Sequence, residues 1–111
     1  MAPLGFETTL SDGRAIVTLS GELDLSGASR LEAEVERLAK LEGPETVVLD
    51  LRGLEFMDSS GLRLVTLADR RLMGEGRRLV LVRGPEAVHR VFEITRLTDR
   101  LTFVDRPDAP A

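Results

Sequence analysis

Two runs of consecutive apolar residues, Val47-Val48-Leu49 and Leu79-Val80-Leu81-Val82, constrain the fold of this chain more than any other feature. A strand with one wet face alternates apolar and polar residues. An unbroken apolar run belongs to a strand covered on both faces, the usual state of a parallel sheet. Between the runs, Leu62, Val65, Leu67, Ala68 and Leu72 recur at helical spacing, and the pattern stops near Gly74 and Gly76. Strand, helix and strand in that order predict a right-handed crossover between parallel strands. The first run is expected to be a central strand, with Arg52 to Met57 leading from it into the helix.

Upstream, Phe6, Thr8 and Leu10 alternate with polar neighbours, Ser11-Asp12-Gly13-Arg14 supplies turn chemistry, and Ala15, Val17 and Leu19 alternate again. That is a hairpin signature. After Gly21-Glu22-Leu23-Asp24 the period changes: Ala28, Leu31, Val35 and Leu38 fall on one helical face while Glu32, Glu34, Glu36 and Arg37 turn to water. Ser26 is the expected N-cap and Gly43-Pro44 the expected stop. Pro85 fits a first helical turn, Val88, Val91 and Phe92 form the stripe of a third helix, and Leu101 to Val104 add a short last strand. The tail from Asp105, with Pro107 and Pro110, reads as non-helical and flexible. The pattern predicts one α/β domain over 1–111, core about 6–104, whose mixed sheet begins with a β-hairpin and is flanked by helices.

Composition narrows the chemistry. With 111 residues and 42% apolar content, the chain can close one core without cross-links. The absence of cysteine removes disulfides and thiolate metal sites and fits a reducing cytoplasm, the expected location. A net charge of −4 with interspersed signs, and no Trp or Tyr, argues against a nucleic-acid surface. No apolar stretch reaches membrane-spanning length. His89 is the only histidine and lacks the cysteines or clustered acids that a metal site needs.

The chemistry-bearing stretch is Asp58-Ser59-Ser60-Gly61, two hydroxyls behind a capping acid at the start of the second helix. By capping preference alone it is an ordinary helix cap. It also suits a switch, because phosphorylation would add nearly two negative charges where unpaired amides and the helix dipole favour an anion. Asp24 has a similar double reading, as a loop acid or as part of an interface. Phe56 and Met57 read as core anchors or as apolar partner contacts. Arg70-Arg71 and Arg77-Arg78 read as a solvated helix end or as a basic patch.

Gly21-Glu22-Leu23-Asp24 before the first helix and Phe56-Met57-Asp58-Ser59-Ser60-Gly61-Leu62 before the second, within this order of elements, resemble bacterial anti-sigma-factor antagonists. These are single STAS domains, and the similarity runs from about Phe6 to Val104. The resemblance implies a phosphorylation-controlled exchange of partners. Ser59 would be the phosphoacceptor of an anti-sigma factor that is also a serine kinase, and ATP and magnesium would belong to that kinase. The unmodified form would bind the anti-sigma factor and release the sigma factor, and a serine phosphatase would reset the cycle. Asp58 would cap the helix, Ser60 fill the second hydroxyl position, Gly61 permit close backbone approach, and Asp24 lie on the partner-facing side. Met57 and Arg63 complete the expected partner-binding set.

Two features depart from the family pattern. Many relatives carry a second glycine where this chain has Arg63, and relatives often end in a further helix where this chain has Asp105-Arg106-Pro107-Asp108-Ala109-Pro110-Ala111. The same fold also serves as a subunit of lipid-transport or stressosome-like assemblies. A serine hydrolase is the remaining alternative, but the chain has no Gly-x-Ser-x-Gly elbow, and nothing ties His89 to Ser59. No cofactor and no catalysis are expected of the chain itself.

Overall fold

The computed structural model describes residues 2–111. Strands β1 (Gly5–Ser11) and β2 (Arg14–Leu23) form the hairpin, followed by α1 (Leu25–Ala39), β3 (Thr46–Met57), α2 (Ser59–Met73), β4 (Arg78–Val82), α3 (Glu86–Ile94), a 3₁₀ turn at Leu97–Asp99 and β5 (Phe103–Val104). The five strands lie in sequence order in one sheet. β1 is antiparallel to β2, and every later neighbour is parallel. β3, which carries the first apolar run, occupies the centre as expected.

Each crossover advances one strand in the same direction, so right-handed connections place all three helices on one face of the sheet. The packing follows. Val17, Leu19, Val47, Leu49, Leu51 and Leu81 form the core with Leu31, Leu38, Val65, Leu72 and Phe92 of the helices. The alternate strand residues Val48, Val80 and Val82 make a second apolar cluster on the opposite face, with Ile16 and Val104 against it. That parity explains the unbroken runs: both faces of β3 and β4 are covered, one of them without a helix.

The C-terminal tail is held at that second face. It contains no helix, in line with expectation, yet the guanidinium of Arg14 donates to the Pro107 carbonyl at 3.0 Å and that of Arg78 to the Ala111 carbonyl at 3.4 Å. These donors stand at the starts of β2 and β4. The tail is therefore tied to the starts of these two strands through its Pro107 and Ala111 carbonyls.

Several boundaries differ from the sequence reading. The cap of α1 lies two residues before Ser26, because Asp24 has the extended backbone of a cap and its carboxylate accepts from the Gly27 amide at 2.9 Å. α1 ends at Ala39, before Gly43-Pro44, where Arg77 donates to the Leu38 and Leu41 carbonyls and satisfies the helix end from outside. Pro85 is the residue before α3 and not its first turn. In α2, Leu64 is buried and Leu67 exposed, a shift of the apolar stripe by part of a turn. The segment Arg52 to Met57 is not a connection but the second half of β3, which continues alongside β2 past two register shifts.

Candidate functional site at the paired helix starts

The extended β2–β3 ladder builds the site. Its last pair is Leu23 opposite Met57, so the next residue on each strand, Asp24 and Asp58, begins a helix at the same edge of the sheet. The Asp58 amide donates to the Leu23 carbonyl at 3.3 Å and ties the two turns together. Both aspartates adopt nearly the same cap conformation, φ −105° and ψ −170° at Asp24, φ −106° and ψ −170° at Asp58. Oδ1 of Asp58 accepts from the Ser60 amide at 2.9 Å and the Gly61 amide at 3.4 Å.

This geometry reveals a local repeat: Asp24-Leu25-Ser26-Gly27 and Asp58-Ser59-Ser60-Gly61 are the same cap written twice. The glycines are there for space. A Cβ at Gly61 would lie 2.7 Å from Cγ of both Leu23 and Met57, and one at Gly27 would lie 2.8 Å from Leu4 Cβ. The helix starts are thus pressed onto the strand ends, which fixes the height of Ser59 above the sheet.

Ser59 is the first residue of α2 and is exposed. Ser60 is half-buried and, with Arg63, lines a cleft between α1 and α2 whose other wall includes Leu25 and Glu32. Arg63 is exposed. The structure thus brings together Asp24, Asp58, Ser59, Ser60 and Arg63 at one edge. Met57 and Gly61, expected in the same partner-binding set, are buried beneath it, Met57 with only 4% of its surface accessible. Strand alternation is the reason: Met57 points to the helical face opposite Leu23, while its neighbour Phe56 is 44% exposed. Met57 can influence a partner only through the turn it supports.

The sequence reading overlooked Leu25. It is the α1 counterpart of Ser59, 74% exposed, at the mouth of the cleft. The repeated Asp-x-Ser-Gly spacing was the signal that could have found it.

His89 belongs elsewhere. It is 5% exposed on α3, edge-on to Phe103 with centroids 4.9 Å apart, and its Nδ1 has no hydrogen-bond partner. Burial, with Arg83 nearby, pushes its pKa down, which favours the neutral ring. No hydrogen bond joins it to Ser59 among the described residues, so the triad geometry of a serine hydrolase is not assembled here.

The comparisons agree with this architecture. The family described as "Mlab, STAS domain" matches residues 6–105. The chain is 32% identical over 96 residues to the anti-sigma-B factor antagonist of Staphylococcus aureus, covering 86% of this chain and 88% of that protein. An anti-sigma factor antagonist from Mycobacterium paratuberculosis superposes with a TM-score of 0.85 at 26% identity, over 95% of this chain and 88% of that one. The phosphorylated form of the Bacillus cell fate determinant SpoIIAA superposes with a TM-score of 0.71 at 24% identity, over 90% and 91% of the two chains, a likeness of fold. With a family match across nearly its whole length and a full-length relative of this identity, the chain belongs to the STAS-domain family of anti-sigma factor antagonists.

Proposed function

We propose that this chain antagonises an anti-sigma factor through the edge formed by the two helix starts, and that phosphorylation of Ser59 by that partner abolishes the contact. The observation that carries the reading is the placement of Ser59: an exposed hydroxyl on the first residue of α2, directly after a cap whose carboxylate is already engaged with the Ser60 and Gly61 amides. Leu25 supplies exposed apolar surface beside it, and Asp24, Ser60 and Arg63 supply the polar rim. A partner seated there buries a neutral serine at modest cost. After phosphorylation it would have to desolvate a dianion next to Asp58, and an unpaired buried charge of that kind weakens a complex by at least about 2 kcal/mol, roughly thirtyfold.

In this reading the chain does no chemistry of its own: the kinase brings ATP and magnesium, and a serine phosphatase removes the phosphate. The working compartment is the cytoplasm, where sigma factors act. No helix among the described residues is long and apolar enough to cross a membrane.

Calorimetric titration of the cognate anti-sigma factor with the serine form and with a form carrying phosphoserine at position 59 tests the proposal. Binding should be tight for the first and at least thirtyfold weaker for the second. Equal affinity for the two forms would refute it. In a kinase reaction with ATP, Ser59→Ala should lose the single phosphate that the unsubstituted chain acquires.

A further inference from the structure

We propose that Arg63 is an internal receptor for the phosphate on Ser59, folding the modified side chain back onto α2. The inference rests on Ser59 being the acceptor and goes beyond it, since it concerns what the chain does with the phosphate once attached.

Ser59 and Arg63 are one helical turn apart on α2 and both are exposed, the spacing at which helical side chains meet. In the unmodified chain Arg63, like Arg70 further along α2, makes no ion pair or side-chain hydrogen bond among the described residues, whereas Arg30, Arg37, Arg52, Arg71 and Arg77 are each held by a carbonyl or carboxylate. The helix start offers little instead. Its Ser60 and Gly61 amides already donate to Asp58, so a phosphate could reach them only by displacing the cap. A side chain can then supply the compensating charge beside the helix start, and a guanidinium matches phosphate geometry with paired donors.

Three acidic groups stand at this edge. Asp58 precedes Ser59, Asp24 caps the neighbouring helix, and Glu32 of α1 lines the same cleft as Arg63. All three repel a dianion, and Glu32 also competes for Arg63. Among the groups gathered at the cleft, Arg63 is the cation that stabilises the modified state. Phosphorylation would therefore both repel a partner and withdraw from it an arginine that the unmodified chain leaves open. Removal of the phosphate would first require this pair to break.

The test uses full-length chain with phosphoserine incorporated at position 59, followed by phosphorus NMR across a pH titration. The second ionisation of the phosphate should occur about half a unit lower in the unsubstituted chain than in Arg63→Gln. Arg70→Gln, which removes an exposed arginine further along α2, should match the unsubstituted chain. Identical titrations with and without Arg63, or the same displacement in both variants, would overturn the proposal. If the Arg63-dependent displacement is seen while the anti-sigma factor binds both covalent forms equally, the internal pair stands and the partner-switch reading falls.

Discussion

Alanine substituted at the two ends of α2 should have opposite effects, although the chemical change is the same. At Gly61 the new Cβ would stand 2.7 Å from Leu23 Cγ, 2.7 Å from Met57 Cγ and 2.9 Å from Leu23 Cδ2. Leu23 is fully buried and Met57 nearly so, and a branch-point carbon such as Leu23 Cγ cannot swing aside without moving its whole side chain. Overpacking of this kind costs about 1–3 kcal/mol, while replacing glycine within a helix returns up to about 1 kcal/mol. The net expectation for Gly61→Ala is a loss of about 1–2 kcal/mol, which for a domain of this size lowers Tm by about 4–8 °C. At Gly74 the backbone is right-handed helical, φ −61° and ψ −19°, and the nearest atoms to a new Cβ are carbonyl oxygens at 3.4 and 3.6 Å. There the entropic gain is unopposed, about 0.4–1 kcal/mol, and Tm should rise by a few degrees. Differential scanning calorimetry with urea denaturation measures both. If both variants gain stability, the helix start is not pressed against the strand ends and the account of how Ser59 is positioned is wrong.

Two further outcomes are expected. Asp58→Ala removes the carboxylate that receives the Ser60 and Gly61 amides and should cost about 1 kcal/mol in urea denaturation, whereas Asp58→Asn keeps an accepting oxygen and should lose less; equal losses would argue against the cap. His89 is held neutral by burial, so its pKa in the folded chain lies below the reference value of 6.5 and the unfolded chain binds the proton more readily. Its contribution to stability should be complete above about pH 6.5 and decline as the pH falls from there through the folded-state value, with Arg83 reinforcing and Glu93 opposing the effect. His89→Phe, placed beside Phe92 and Phe103, should remove that component from stability profiles measured between pH 7.5 and 5; superimposable profiles would refute the assignment.

Much of the fold was legible because local periodicity reports burial directly. Alternation in Phe6 to Leu19 marked the hairpin, the run at Val47 marked the central strand, and the Leu31, Val35 and Leu38 spacing marked the buried face of α1. Three of the differences share a cause: each depends on a partner distant in sequence. Ser26 and Asp24 are equally good caps by residue type, and the choice follows from where β2 stops pairing with β3. The polar residues of Arg52 to Met57 look like a loop, and they are strand only because β2 continues beside them. The tail's prolines announce the lack of a helix, while the arginines that hold it lie at Arg14 and Arg78.

The candidate site divides in the same way. Asp58-Ser59-Ser60-Gly61 could be picked out by eye, since a cap, a hydroxyl pair and a glycine are properties of neighbouring residues. That Met57 sinks while Phe56 stays at the surface was not readable, because side-chain parity depends on a register that shifts twice between β2 and β3.

The sequence by itself determined the order of strands and helices, the helix that begins at Ser59 and the acid that caps it, because these follow from apolar spacing and short-range hydrogen bonding within a few residues. Only the tertiary structure decided that Asp24, Leu25 and Ser59 share one edge and that the tail is tied to the starts of β2 and β4. Both are set by pairing and packing between segments far apart along the chain, where the register of one strand against another chooses which side chains meet.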